Sequence, residues 1–430
     1  MKVLAYGVGA PAATFWARFG SWIASRIGGK DENGAKARRF GRFRLAGGAA
    51  LLAGFVAACQ PVTGPGLGPT GPVGDPGLAS GETLGSGSVR VALLVSRSAT
   101  GNAGTTALAY RNAAELALKD FPNADIQLVV YDTGGKPETA QVAANAAVSE
   151  GAELILGPLF SSEVRAVAPI ARQAGVPVVA FSSDIAVAGS GVYLLSFLPT
   201  ENINAIVDYA ASRGKRAYAA ILPNDGYGAV VEAAFRQRVG STGGRVVAIQ
   251  RYQLDQIDIQ SKAAEIAKLG DQIDALLIPG NADEAPLVAS ILSTSGMPAN
   301  RVMYLGSGQW DNPRIHGNTS LAGAYYPGPD RRGFDAFSER YKSNYGAEPP
   351  RIASLAYDGV VLAAGLVRQF GQERFSQSVL TNPNGFAGID GVFRFLVNGS
   401  NQRRLSIFEV TGSGVRVERP APRTFSGSGT

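Results

Sequence analysis

Cysteine and histidine are almost missing: Cys59 and His316 are the only copies in 430 residues. One of each cannot build a Cys/His zinc site, and a lone cysteine forms no intramolecular disulfide. Haem attachment and most Ser–His or Cys–His catalytic systems go with them. His316 lies in the polar stretch "NPRIHGNTS" and is expected to be an exposed loop residue. The chain also lacks a Walker lysine motif and a G-x-S-x-G elbow. No metal and no cofactor is expected, and with no carboxylate pair standing out the chain reads as non-catalytic.

Charge of one sign is missing as well, once the chain is divided. The whole sequence carries +6. Residues 1–58 hold nine Lys/Arg against Asp31 and Glu32, so 40 − 9 = 31 basic and 34 − 2 = 32 acidic residues remain. A net charge of −1 leaves no footprint for nucleic acid.

The basic cluster belongs to "KARRFGRFRLAGGAALLAGFVAAC": a positive region, an apolar run from Leu45 to Ala58, then small residues and Cys59. That is the pattern of an export signal, and its apolar core is too short for a membrane-spanning helix. "VAAC" resembles the lipobox of bacterial lipoproteins, which implies lipidation of Cys59 and a membrane contact through the lipid alone. Gln60 follows, and the lack of Asp there implies the outer rather than the inner membrane. Residues 1–35 exceed an ordinary leader, and the only other methionines are Met297 and Met303. A true start at a non-Met codon is therefore expected. Residues 59–88 are dense in Gly and Pro, with too little apolar surface to offset the entropy of ordering, and read as a tether.

From Val89 onward strand and helix alternate. "VRVALLVS", "DIQLVVYD", "AELILGP" and "VPVVAFS" are short continuous apolar runs, separated by segments with helical spacing. Strands of that kind are buried on both faces, which predicts α/β architecture with parallel sheets flanked by helices. The series then restarts with "RAYAAILPNDGYGAVVEAAF" and "IDALLIPGNADEAPLVASILS". Residues 152–181 and 273–306 share one plan of strand, Gly/Pro turn, polar pair, helix and strand. Two Rossmann-like lobes follow.

Taken in order, "VRVALLVS", "NAAELAL", "YDTGGKPETA", "GAELILGPLFSSEVRAVAPIARQAGVPVVAFSS", "NDGYG" and "YKSNYGAEP…ASLAYDG" resemble the type I periplasmic binding proteins, specifically the leucine-binding family. The resemblance covers residues 89–416 nearly end to end. It implies three hinge crossings, near Pro199, Tyr325 and Phe393. The expected division is 1–58 export signal, 59–88 lipidated cysteine and tether, 89–199 with 326–392 one lobe, 200–325 with 393–416 the other, and 417–430 a disordered tail.

Open α/β sheets bind ligands beyond the carboxyl ends of their strands, where helix N-termini favour anions. "LGPLFSSEV" places Ser161 and Ser162 at such a start; either could donate to a ligand oxygen or cap the helix, with Glu163 in the first turn. The resemblance implies ligand contacts from Ser182, Ser183 and Asp184, closure of the cleft by the loop holding Ser98, and Tyr227 over the ligand. Asn281, Asp283 and Glu284 stand at a strand exit of the second lobe. In one place the chain departs from the family. Where the leucine-binding proteins set an acid for the ligand ammonium, "SGQWDNP" offers Gly308 or Gln309, so Asp184 or Asp311 would have to substitute.

The resemblance implies a monomeric periplasmic solute-binding protein with a small, polar, amino-acid-like ligand and an ABC permease as partner. The segment "DTGGKPE…LILGPLF…EVRAVAP" is also similar to tethered activators of penicillin-binding proteins, in which this fold contacts a peptidoglycan synthase. Both readings stay open at this point.

Overall fold

The computed structural model describes residues 81–425. The export signal, Cys59 and residues 60–80 of the expected tether lie outside the described residues.

Strands β1 Glu82–Leu84, β2 Val89–Val95, β3 Ile126–Asp132, β4 Leu154–Leu156, β5 Val178–Ala180 and β6 Val192–Leu194 form one sheet in the order β1-β3-β2-β4-β5-β6. All neighbours pair in parallel except β1. The apolar runs have no polar alternation because both faces are covered. Helices Asn102–Asp120 and Ala353–Phe370 pack on one side, Pro137–Ser149 and Ser161–Gln173 on the other. Val91, Ala92, Leu93 and Leu94 are consequently all buried.

Strands β7 Ala217–Pro223, β8 Arg245–Tyr252, β9 Ala275–Leu277, β10 Met303–Leu305 and β11 Tyr325–Gly328 repeat the plan. A separate small sheet follows, made of β12 Phe386–Gly388, β13 Gly391–Phe395 and β14 Asn401–Arg403. The chain then returns to the second sheet as β15 Ser406–Val410 and β16 Val415–Arg419, in the order β16-β15-β11-β10-β9-β7-β8. The orders β3-β2-β4-β5-β6 and β8-β7-β9-β10-β11 match strand for strand. The doubling legible in the sequence is therefore a doubling of topology.

Four boundaries differ from expectation. Residues 82–84 are not tether: β1 pairs with β3, and the Glu82 carboxylate accepts from Arg97 at 2.8 Å and Arg111 Nε at 3.1 Å. Residues 417–425 are not a disordered tail. "VRVER" supplies β16, and Phe425 is buried beneath the guanidinium groups of Arg394 and Arg404. The second crossing falls at residues 329–330, after β11 has finished in the second sheet. The third falls at 404–405 rather than near Phe393, because Phe386, Phe393 and Phe395 pack into the core of the first lobe. The first crossing, 196–198, ends where Pro199 opens the helix Pro199–Ser212.

Polar side chains join these crossings. Asn401 Nδ2 donates to the carbonyls of Leu194 at 2.7 Å and Ser196 at 2.8 Å, and Arg403 Nε donates to Ser196 O at 3.1 Å. Nearby, Arg351 Nη2 lies 2.6 Å from the fully buried carboxylate of Asp390. Asp358 Oδ1 accepts from the backbone N–H of Ile389 at 2.8 Å. Burial, and then the neighbouring Asp390, push the Asp358 carboxyl up from 3.8 to about 7, against the opposing pull of Arg403.

Two measurements follow from this buried network. Asn401→Ala removes a donor from Leu194 O and leaves Ser196 O to Arg403 alone, and should lose about 1–3 kcal/mol in guanidinium denaturation. Asp358 keeps a proton in the folded state that the unfolded chain gives up, so its contribution is present at low pH and lost as pH rises toward 7. Relative to Asp358→Asn, the native chain should lose urea stability between pH of about 4 and about 7. Parallel curves would show that Asp358 ionises normally in the fold.

Candidate functional site

A cavity of about 420 Å³ opens between the lobes. Its walls include Phe197 and Leu198 of the first crossing, Pro329 of the second, and Arg403 and Leu405 flanking the third. Ser183 enters from beyond β5, Tyr227 from beyond β7, and Gly308 and Gln309 from beyond β10. All four positions follow the carboxyl ends of strands, where open α/β sheets present their ligand sites. A space of this size suits a small molecule.

Of the nine ligand-binding candidates, the structure brings Ser183, Tyr227 and Gln309 together around this space. The other six do not line it. Ser161 and Ser162 lie in the first turn of their helix, after Phe160, with no side-chain cap. Ser182 is buried, and its Oγ accepts from the N–H of Asp184 at 3.2 Å. The Asp184 carboxylate accepts from Arg165 at 2.8 Å and from the N–H of Ala186 at 3.0 Å, which fixes the turn Ile185–Val187. Ser98 donates its backbone N–H to Asp132. Asn281 Oδ1 accepts from the N–H groups of Asp283 and Glu284, ahead of the helix Glu284–Thr294.

Glu163 does more than face a helix dipole. It is fully buried, and Ser96 Oγ sits 3.3 Å from both of its carboxylate oxygens and 3.1 Å from Thr133 Oγ1. These three residues follow β2, β3 and β4, so one polar knot ties three strand exits of the first lobe together. Burial pushes the Glu163 carboxyl up, and hydrogen bonds from Thr133 and Ser96 oppose that shift.

On the opposite wall, Asp225 caps the helix Gly226–Ser241 by accepting from Gly228 N at 2.7 Å. A β-carbon at Gly228 would lie 1.8 Å from the carbonyl oxygen of Pro223, so the turn that presents Tyr227 requires glycine. Tyr227 Oη donates to Ser307 Oγ at 2.9 Å, and Ser307 Oγ donates to Pro279 O at 3.0 Å. Burial pushes the Tyr227 hydroxyl up, so it stays protonated. Asp283 and Glu284, two further candidates, are engaged elsewhere: Asp283 pairs with Arg314, and Glu284 accepts from Tyr252 Oη at 2.7 Å.

His316 is buried, contrary to the exposed position expected. Its ring stacks on Tyr326, and Nε2 lies 3.0 Å from Tyr326 Oη and 3.1 Å from Trp310 O. Burial pulls its pKa down, which favours the neutral ring. Trp310 beside it donates to Gly280 O at 3.1 Å. These contacts assign the histidine to packing beneath the loop that holds Gln309.

Asp311 lines the cavity but is already engaged. Arg331 lies at 3.0 Å and Arg351 at 3.7 Å, so this loop of the second lobe is paired with first-lobe cations across the cleft. The sequence reading missed Arg351 and Arg403 entirely. Arg403 left a trace in "NGSNQRRLSIFEV": it stands at an inward position of an apolar alternation, in register with buried Phe393. An inward arginine in a hairpin is a buried charge with a purpose to be found.

Comparison with known proteins agrees with this geometry. A family model described as "Periplasmic binding protein" matches residues 88–414. The curated "Leu/Ile/Val-binding protein homolog 6" of Brucella abortus (strain 2308) is 27% identical over 161 residues, 37% of this chain and 39% of that protein. The match thus spans about two-fifths of the relative's length. A branched chain amino acid ABC transporter periplasmic ligand-binding protein from Burkholderia xenovorans LB400 superposes with a TM-score of 0.63 at 17% identity, covering 79% of this chain and 97% of that one. A solute binding protein from R. palustris in complex with benzoate gives a TM-score of 0.55 at 18% identity, covering 79% and 97%. With three-quarters of its length matched by the family and two lobes closing on one cavity, the chain belongs to the periplasmic binding proteins.

Proposed function

We propose that the chain is a non-catalytic periplasmic receptor for a small carboxylate-bearing ligand of amino-acid size, serving an ABC-type importer. The observation that carries this reading is the composition of the cavity wall, which draws on both lobes and all three crossings. A ligand there touches Ser183 on one side and Tyr227 and Gln309 on the other, so its contacts exist together only when the lobes are close. Binding then shifts the population toward the closed form by its differential affinity. Lipidation at Cys59, anchoring in the outer membrane and action as a monomer belong to the same proposal. Among the described residues no helix is long and apolar enough to cross a membrane, which is compatible with a lipid as the membrane contact.

The alternative is a tethered activator of a penicillin-binding protein, and Gln309 at the position of the expected acid favours it. The two readings separate in a thermal-shift screen of amino acids and small organic acids. A compound at 100 times its Kd should stabilise the receptor by about 2.7 kcal/mol. Ser183→Trp, which fills the cavity from an exposed position, should abolish that shift. Silence across the screen, with retention of a penicillin-binding protein on the immobilised chain, would transfer the assignment to the activator.

A further inference from the structure

Arg403 is an unusual group to find in a cavity wall. It is 6% exposed, and while Nε is bonded to Ser196 O, neither Nη1 nor Nη2 has a hydrogen-bond partner. No carboxylate among the described residues pairs with it. Asp390 is held by Arg351 and Ser354, and Asp358 Oδ1 by Ile389; both acids act on Arg403 electrostatically, but neither forms an ion pair or hydrogen bond with it. The guanidinium plane is held between Phe197, 4.8 Å from ring centroid to Cζ, and Phe393, at 5.1 Å. Stacking offsets part of the cost of burying the charge and fixes the direction of the fork, but it satisfies no N–H. What remains is a preoriented pair of buried donors on a residue that lines the cavity, a fork that would accept a carboxylate in bidentate fashion once a ligand reaches it through a small side-chain shift. Arg351 lines the same cavity, and its Nε also has no hydrogen-bond partner.

The opposite requirement, an acid for a ligand ammonium, is poorly met. Asp311 is held by Arg331 and Arg351, and Asp184 by Arg165 away from the cavity. Gln309 carries no charge. Glu201 is the one remaining acid in the wall, and burial favours its neutral form. The rest of the lining near Arg403 is apolar: Phe197, Leu198, Ile352 and Leu405.

We infer that Arg403 receives the carboxylate of the ligand, and that this ligand is a small organic acid with an apolar body and no ammonium group. The inference rests on the receptor reading above and narrows it. An α-amino acid would carry its second charge into a wall whose one unpaired acid, Glu201, is disfavoured in its charged form by burial, whereas its deaminated analogue would not. The uncharged amide of the same acid would leave the guanidinium unneutralised.

The test is isothermal titration of the full chain with matched pairs: 4-methylpentanoate against leucine, and benzoate against benzamide. The acids should bind at least tenfold more tightly than leucine and benzamide. Arg403→Met keeps much of the stem and removes the fork; with the variant shown to be folded by circular dichroism, acid binding should fall at least tenfold. Arg403→Lys, which keeps charge but not the fork, should fall between. Tighter binding of leucine than of 4-methylpentanoate, abolished by Glu201→Gln, would overturn the inference and leave the receptor reading standing. So would acid binding that Arg403→Met leaves unchanged. Failure of every compound, with the native chain folded by circular dichroism, would remove the receptor reading and this inference with it.

Discussion

Charge buried where three strands of chain pass between two lobes is the constraint on which this molecule turns. Arg403 and Arg351 sit at the crossings with Asp358 and Asp390 close by, and the acids do not cancel the arginines one for one. Asp390 pairs with Arg351, Asp358 tends toward its neutral form, and Arg403 is left to aromatic faces and one carbonyl. Replacing such a set by apolar residues of equal volume is often neutral or stabilising, so a stability argument does not account for it. Two roles do. The set fixes how 196–198 and 404–405 lie against each other, through the bonds of Arg403 and Asn401 to Ser196. It also leaves buried positive charge on two residues that line the space between the lobes.

That space is a consequence of strand order. Both sheets run 2-1-3-4-5 in their own numbering, so in both the connections from neighbouring strands diverge at one point of the carboxyl edge. Ser183 comes from the carboxyl edge of the first sheet and Tyr227 and Gln309 from that of the second, and they converge because the crossings bring the two sheets together by those ends. Helices on both faces keep each lobe stiff: the sheets are dry, with Leu93, Leu156, Ile221 and Leu277 all fully buried. Any displacement between the lobes would therefore concentrate in the short crossings, which among the described residues carry the covalent links between the cores.

Repeated strand and helix periodicity made the lobes legible, because fully buried parallel strands are long runs of apolar residues with nothing to confuse them. The first crossing was legible for a local reason: Pro199 opens a helix. The third was not. β13 and β14 alternate like an edge hairpin, and alternation does not say which lobe's core will receive Phe393 and Phe395. The serines illustrate the same limit at a finer scale. "SSE" and "SSD" look equivalent in sequence, yet Ser183 reaches the cavity while Ser161 and Ser162 begin a helix elsewhere on the lobe. Glu163 reads as a first-turn acid and proves to be a buried link between strand exits. Each error has one cause, since a strand-exit residue can point into the cleft, into its own turn or into the sheet's end. The polar partners that decide, such as Ser96 and Thr133, lie tens of residues away in the chain.

The ion pairs of Asp311 bear on how closure is balanced. A second-lobe carboxylate that holds Arg331 and Arg351 draws the lobes together before any small molecule contributes a contact. The guanidinium groups are partly exposed, so the gain is screened and modest, and it cannot by itself hold the cleft shut. A ligand adds to this bias only through contacts that both sides make at once. One bound by Ser183 alone would shift nothing, because that contact exists in open and closed forms alike. One anchored at the crossings can be met by Tyr227 and Gln309 when the second lobe swings in, with its fixed end undisturbed by the motion. In the proposed receptor, a strong donor at the pivot, where displacement is least, would let the weaker contacts of the second lobe decide whether the cleft closes.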